Sequence, residues 1–141
     1  MKHLYALFIT VFLLNSQFIT LRAQNVLVSD SIQISLLTCS PHDEVYSLYG
    51  HTALRVENRQ NGMDVAVNYG MFSFDKPFFV LRFVFGLTDY TMGIVPFENF
   101  CREYEYYGSS VTQQVLNLSP EDKVRILSAL EYNYHPENRI Y

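Results

Sequence analysis

Tryptophan is absent from the 141-residue sequence, and cysteine occurs only twice, at Cys39 and Cys101. No Cys-x-x-Cys pair exists, and the four histidines (His3, His42, His51 and His135) have no ligand-like spacing. The pattern therefore offers no metal site and calls for no cofactor. Basic residues are few: ten Lys and Arg against fourteen Asp and Glu give a net charge of −4 with no basic cluster. That balance excludes the electrostatic footprint of a nucleic-acid partner. No Gly-x-Ser-x-Gly elbow marks a serine nucleophile, and repeats and low-complexity tracts are missing.

What is present begins with a leader. Lys2 and His3 precede the largely apolar stretch 4–14, and Ala23 offers a small residue for cleavage. Residues 1–23 thus read as a signal peptide, too short for a membrane span. No cysteine lies near the cleavage point, so a lipid-anchored N-terminus is not indicated. Residues 24–141 form the exported domain, periplasmic once the leader is cut and membrane-associated if it is kept. Export leaves pairing of Cys39 with Cys101 open. Hydrophobic residues make up 49% of the sequence, enough for a core.

Alternation over 31–37 predicts a first strand, broken by Ser40-Pro-His-Asp43. A turn or single helical turn over 44–49 leads into Gly50-His51 and a second strand, 51–57. Asn61-Gly62 predicts a hairpin, with a third strand from Met63 to about Phe74. Pro77 to Gly86 is intensely apolar and predicts a short helix packed across the sheet, its Phe residues in the core. A strand over 90–95 precedes a helix whose Phe97, Phe100, Cys101 and Tyr104 share one face, with Cys101 a small core hydrophobe. A strand over 110–118 follows. Ser119-Pro-Glu-Asp122 then starts a helix with Val124, Leu127 and Leu130 as its buried stripe. From Tyr132 the chain approaches another element.

The chemistry centres on Tyr46-Ser-Leu-Tyr-Gly-His-Thr-Ala-Leu-Arg-Val56. Gly50 permits a close backbone approach, and the strand then fixes the imidazole of His51 at its rim. Histidine is the side chain suited to proton transfer near neutral pH, although a hydrogen-bonded histidine at a strand start fits the same residues. Period-2 alternation puts His51, Ala53 and Arg55 on one face and Thr52, Leu54 and Val56 on the other. Folding the hairpin brings His51 opposite residues 68–72. Asn68 is then either the partner of one ring nitrogen or a strand-end cap before Gly70. Ser47 and Cys39 are the nearby nucleophile types, with a structural or disulfide role the simpler account of Cys39.

Further stretches carry a resemblance: Thr38-Cys-Ser-Pro41, Val45 to Val56, Asn68-Tyr-Gly-Met-Phe-Ser-Phe74, Gln113-Gln-Val-Leu-Asn-Leu118 and Pro136-Glu-Asn-Arg-Ile-Tyr141. From about Leu37 onward the chain resembles the N-terminal periplasmic domain of the Lnb lipoprotein N-acyltransferases of Bacteroidetes. That family in turn resembles permuted papain-like (NlpC/P60-type) thiol enzymes. The resemblance implies an α+β domain, a small antiparallel sheet with packed helices, in which His51 is the catalytic base and Asn68 its orienting partner. It also implies a nucleophilic Cys in an Asn-Cys segment beyond Tyr141, matched by neither Cys39 nor Cys101, so the chain would be C-terminally incomplete. The partners implied are a phospholipid or lipoprotein substrate and a membrane surface. The alternatives are a non-catalytic envelope binding domain, with Tyr46, Tyr49 and Tyr69 lining a groove, and a peptidoglycan or lipid hydrolase of the same fold.

Overall fold

The computed structural model describes residues 30–73 and 77–140; the expected leader over 1–23 lies outside the described residues. Five strands form one antiparallel sheet in the order β4-β3-β2-β1-β5: β1 (Ile32–Cys39), β2 (His51–Asn58), β3 (Met63–Met71), β4 (Thr91–Pro96) and β5 (Val111–Val115). Among the described residues three α-helices accompany it: α1 (Phe79–Val84), α2 (Phe97–Tyr106) and α3 (Pro120–Tyr134). The class is α+β.

β1 is an interior strand, between β2 and β5, and presents apolar residues to both faces of the sheet. On one face Ile32 and Ile34 join Val56, Val67 and Met92 beneath Leu130 of α3, with Ile126 and Leu127 packed against them. On the other, Leu37 and Cys39 join Ala53 and Ala66 beneath Phe100 and Tyr104 of α2. The two alanines leave room for the Phe100 ring, which is 1% exposed. Helices therefore cover both faces of the sheet.

Local chemistry explains the connections. Between β2 and β3, Asn58 and Asn61 side chains accept from the backbone N–H groups of Gln60 and Met63, and Gly62 takes φ +73°. Pro96 leads into α2, and Gly108 at φ +67° follows its end. Ser119 caps α3, its Oγ accepting from the Asp122 N–H at 3.1 Å, with Pro120 in the first turn.

Several expectations are corrected. β3 ends at Met71 rather than Phe74, and β5 ends at Val115, after which Leu116 and Leu118 pack onto the α3-side core. Val124 is exposed, because the buried stripe of α3 turns through Ile126, Leu127 and Leu130. Cys101 stands half-buried at the rim of α2 rather than in the core, and both cysteines are free thiols. The largest correction concerns α1, which has no buried residue and belongs to neither of the two cores on the sheet faces. The element expected beyond Tyr132 is the continuation of α3 to Tyr134, followed by a segment along the open edge of β4. There Ile140 bridges Thr91, the Met92 N–H donates to the Arg139 carbonyl at 3.0 Å, and Arg139 Nε donates to the Met92 carbonyl at 2.7 Å.

Candidate active site

The site is built by one tight turn. A 3-10 turn, Val45–Ser47, ends where the Gly50 N–H donates to the Ser47 carbonyl at 3.0 Å. Gly50 has φ +74°, and a Cβ there would sit 2.6 Å from the Cys39 carbonyl oxygen. Only glycine fits, so the backbone presses against the end of β1 and the next residue starts β2 opposite Cys39. Strand alternation then carries His51 to the α2 face, where Asn68 of the neighbouring strand also points.

The two side chains meet: His51 Nε2 and Asn68 Oδ1 are 2.6 Å apart. A carbonyl oxygen only accepts, so in this pairing Nε2 is the donor, which in the neutral ring leaves Nδ1 as the acceptor. Gly70, at φ +116°, faces the ring edge, and a Cβ there would lie 3.5 Å from His51 Cε1. The pair lines a cleft of ≈ 270 Å³ whose walls include Tyr46, Phe72, Tyr104 and Tyr107. His42 stacks on Tyr107 at 4.4 Å, and Tyr46 meets Phe72 edge-on at 5.5 Å. Burial, then a hydrogen bond with Tyr107, pushes the Tyr46 hydroxyl up to about 12, so it stays a neutral donor at physiological pH.

Residues 20–141 match the model of the Lnb N-terminal periplasmic domain. The chain belongs to that family. No curated protein and no solved structure matches it. The family places this Lnb N-terminal domain in the periplasm. Among the described residues no helix is long and apolar enough to cross a membrane.

The α2 wall of the cleft, Glu103, Tyr104 and Tyr107, was not singled out as part of the site from sequence. The spacing of Phe100 and Tyr104 marks a helix face, but no local signal says which strand residues that face meets. The expected tyrosine groove does not form in this Lnb-type domain. Tyr46 lines the cleft, whereas Tyr49 is 99% exposed. Tyr69 lies on the opposite face of the sheet, its hydroxyl accepting from Asn133 Nδ2 at 2.9 Å.

Farther along the His51 face, Arg55 holds four strands together. Its Nε and Nη2 fork onto the two Asp64 carboxylate oxygens at 2.7 Å each, and Nη1 donates to Gln113 Oε1 at 2.8 Å. Gln113 in turn donates to the buried Ser35 hydroxyl at 2.9 Å, and the guanidinium lies 3.8 Å from the Phe97 ring centre. This network ties β1, β2, β3 and β5 to α2 and stands outside the cleft.

Neither cysteine lines the cleft. Cys39 is 2% exposed and hydrogen-bonded with Tyr104; burial pushes its thiol above the ordinary 9.0. Burial also raises the Cys101 thiol, against the pull of Arg55. A folded-state value above the unfolded one stabilises the fold below the unfolded pKa, and that stability is lost as pH rises through the folded value. The melting temperature should therefore hold near neutrality and fall above about pH 9, where the unfolded Cys39 thiol ionises. A scan of melting temperature against pH checks this, and a flat profile to about pH 11 overturns it. Near neutral pH, mass spectrometry should show Cys101 alkylated before Cys39.

Proposed function

We propose that this chain is the base-bearing part of a cell-envelope acyltransferase that moves an acyl group from a phospholipid to the amine of a lipoprotein. The observation that carries the reading is the 2.6 Å bond between His51 Nε2 and Asn68 Oδ1 at the wall of an aromatic cleft. It leaves Nδ1 as the basic nitrogen, held in one orientation, which is what activation of a thiol requires. A histidine at a strand rim, oriented by an amide on the neighbouring strand, also supports the resemblance to permuted papain-like thiol enzymes. We assign the nucleophile to the Asn-Cys segment that the resemblance implies beyond residue 141, because Cys39 and Cys101 do not line the cleft.

In the first step His51 Nδ1 takes the thiol proton, and the thiolate attacks the ester carbonyl carbon. The carbon–sulfur bond forms as the ester carbon–oxygen bond breaks, and the leaving alkoxide takes the proton back from His51 as a lysophospholipid alcohol. In the second step a lipoprotein amine attacks the thioester, forming the amide. The amine's proton passes through His51 to restore the thiol. Ester and amine are thus converted into alcohol and amide, with no net change in charge or protonation.

The test uses the natural full-length protein with phospholipid and a lipopeptide bearing a free N-terminal amine. Mass spectrometry should show the lipopeptide gain one acyl chain and the phospholipid lose one. Free fatty acid in place of acylated peptide would make the protein a hydrolase. No change in either substrate overturns the reading.

A further inference from the structure

We propose that α1 and its flanks dock on a phospholipid bilayer beside the mouth of the His51 cleft. The segment from Pro77 to Leu87 is the most exposed apolar stretch among the described residues. Phe78 is 76% exposed, Phe85 72%, Val84 65%, Leu87 58%, Leu81 56% and Val80 53%. Such a patch in water marks an interaction surface. The helix has no buried residue, yet it is anchored: Phe79 stacks on Phe72 at 5.1 Å, and the Phe83 ring meets Phe72 tilted at 6.1 Å. Phe78 adopts φ +58°, the only non-glycine residue with positive φ among the described residues. A bulky side chain held there is strained and projects into solvent.

The chemistry favours a lipid surface. From Pro77 to Thr88 the sequence has one cation, Arg82, and no acid. The Arg82 guanidinium is turned back onto the Leu87 carbonyl at 2.6 Å, leaving the outer face apolar. With Asp75 and Lys76 before the segment and Asp89 after it, its charge is balanced, so docking rests on apolar area rather than on attraction to anionic headgroups. Beneath the helix a hollow of ≈ 290 Å³ is lined by Met71, Phe72, Phe79 and Arg82, and Met71 and Phe72 also line the His51 cleft. Thr88, in the wall of that hollow, has a buried hydroxyl with no hydrogen-bond partner, which a lipid ester or headgroup oxygen can satisfy. The apolar face is thus continuous with the candidate active site through Met71 and Phe72. The inference rests on the proposed function for the identity of the substrate and adds how that substrate is reached.

The absence of tryptophan makes the test local. Phe85→Trp introduces the single tryptophan of the 141-residue sequence at an exposed position, read selectively by exciting beyond the tyrosine band. Phosphatidylcholine vesicles should shift its emission to the blue, brominated lipids should quench it, and the shift should survive about 1 M salt. Tyr132→Trp, on α3 and 66% exposed, should not respond. Adding Leu81→Ser and Val84→Ser should weaken the Phe85→Trp response by roughly tenfold or more without lowering the melting temperature, since both side chains face water in the free protein. An emission unmoved by vesicles overturns the proposal. So does a blue shift that depends on protein concentration without lipid, which would mean a second copy covers the face. His51→Ala should dock as the wild type does, so docking and catalysis fail separately.

Discussion

Replacing His51 by glutamine in the full-length protein should lower acyl transfer by about 10²- to 10⁴-fold, the range for loss of a general base. Glutamine is chosen because its amide N–H₂ can still donate to Asn68 Oδ1 while offering no basic nitrogen. The substitution separates a hydrogen-bonding role from a catalytic one. The turn at Gly50 and the packing under Phe100 do not use the imidazole, so the melting temperature should barely move. Wild-type turnover in His51→Gln would sink the base assignment. In the proposed mechanism Asn68 acts through His51 as a positioning residue. Asn68→Ala should cost less than His51→Gln and should move the pH profile of turnover, because it frees the ring to rotate and change tautomer. Asn68→Asp, which keeps an acceptor oxygen at the same reach, should restore much of the rate. If Asn68→Ala instead lowers stability and leaves the pH profile untouched, Asn68 serves the sheet rather than the imidazole.

Gly50→Ala should destabilise the fold by about 2–4 kcal/mol, through two separate costs. The first is the φ of +74°, which an L side chain adopts at an expense of about 1 kcal/mol. The second is the Cβ placed 2.6 Å from the Cys39 carbonyl oxygen, a backbone atom at the end of β1 that cannot simply swing away. Gly62 is the control, with φ +73° and open space around its would-be Cβ. Gly62→Ala should cost only about 1 kcal/mol, and the difference between the two, read by urea unfolding, measures the clash. Equal losses at both positions would show that the turn relaxes and that Gly50 is not what presses β2 against β1. Since His51 is the next residue, any relaxation at Gly50 displaces the imidazole, and activity should fall together with stability.

The parts of this domain legible in the sequence are those set by interactions a few residues long. Alternation in His51–Asn58 put His51 and Arg55 on one face and Val56 on the other, because successive strand side chains point to opposite sides. The short Asn61-Gly62 loop fixed the return of the chain and so brought Asn68 to His51. Ser119 and Pro120 started α3 where their own chemistry required. Tertiary structure decided the rest. Pro77–Gly86 has the composition of a core helix, but a sheet has two faces, and α2 and α3 occupy both, so α1 stays outside with its apolar side in water. The cleft is likewise invisible to local pattern. Its floor comes from β2 and β3 and its wall from Tyr104 and Tyr107, and only the packing of Phe100 over Ala53 and Ala66 sets one against the other.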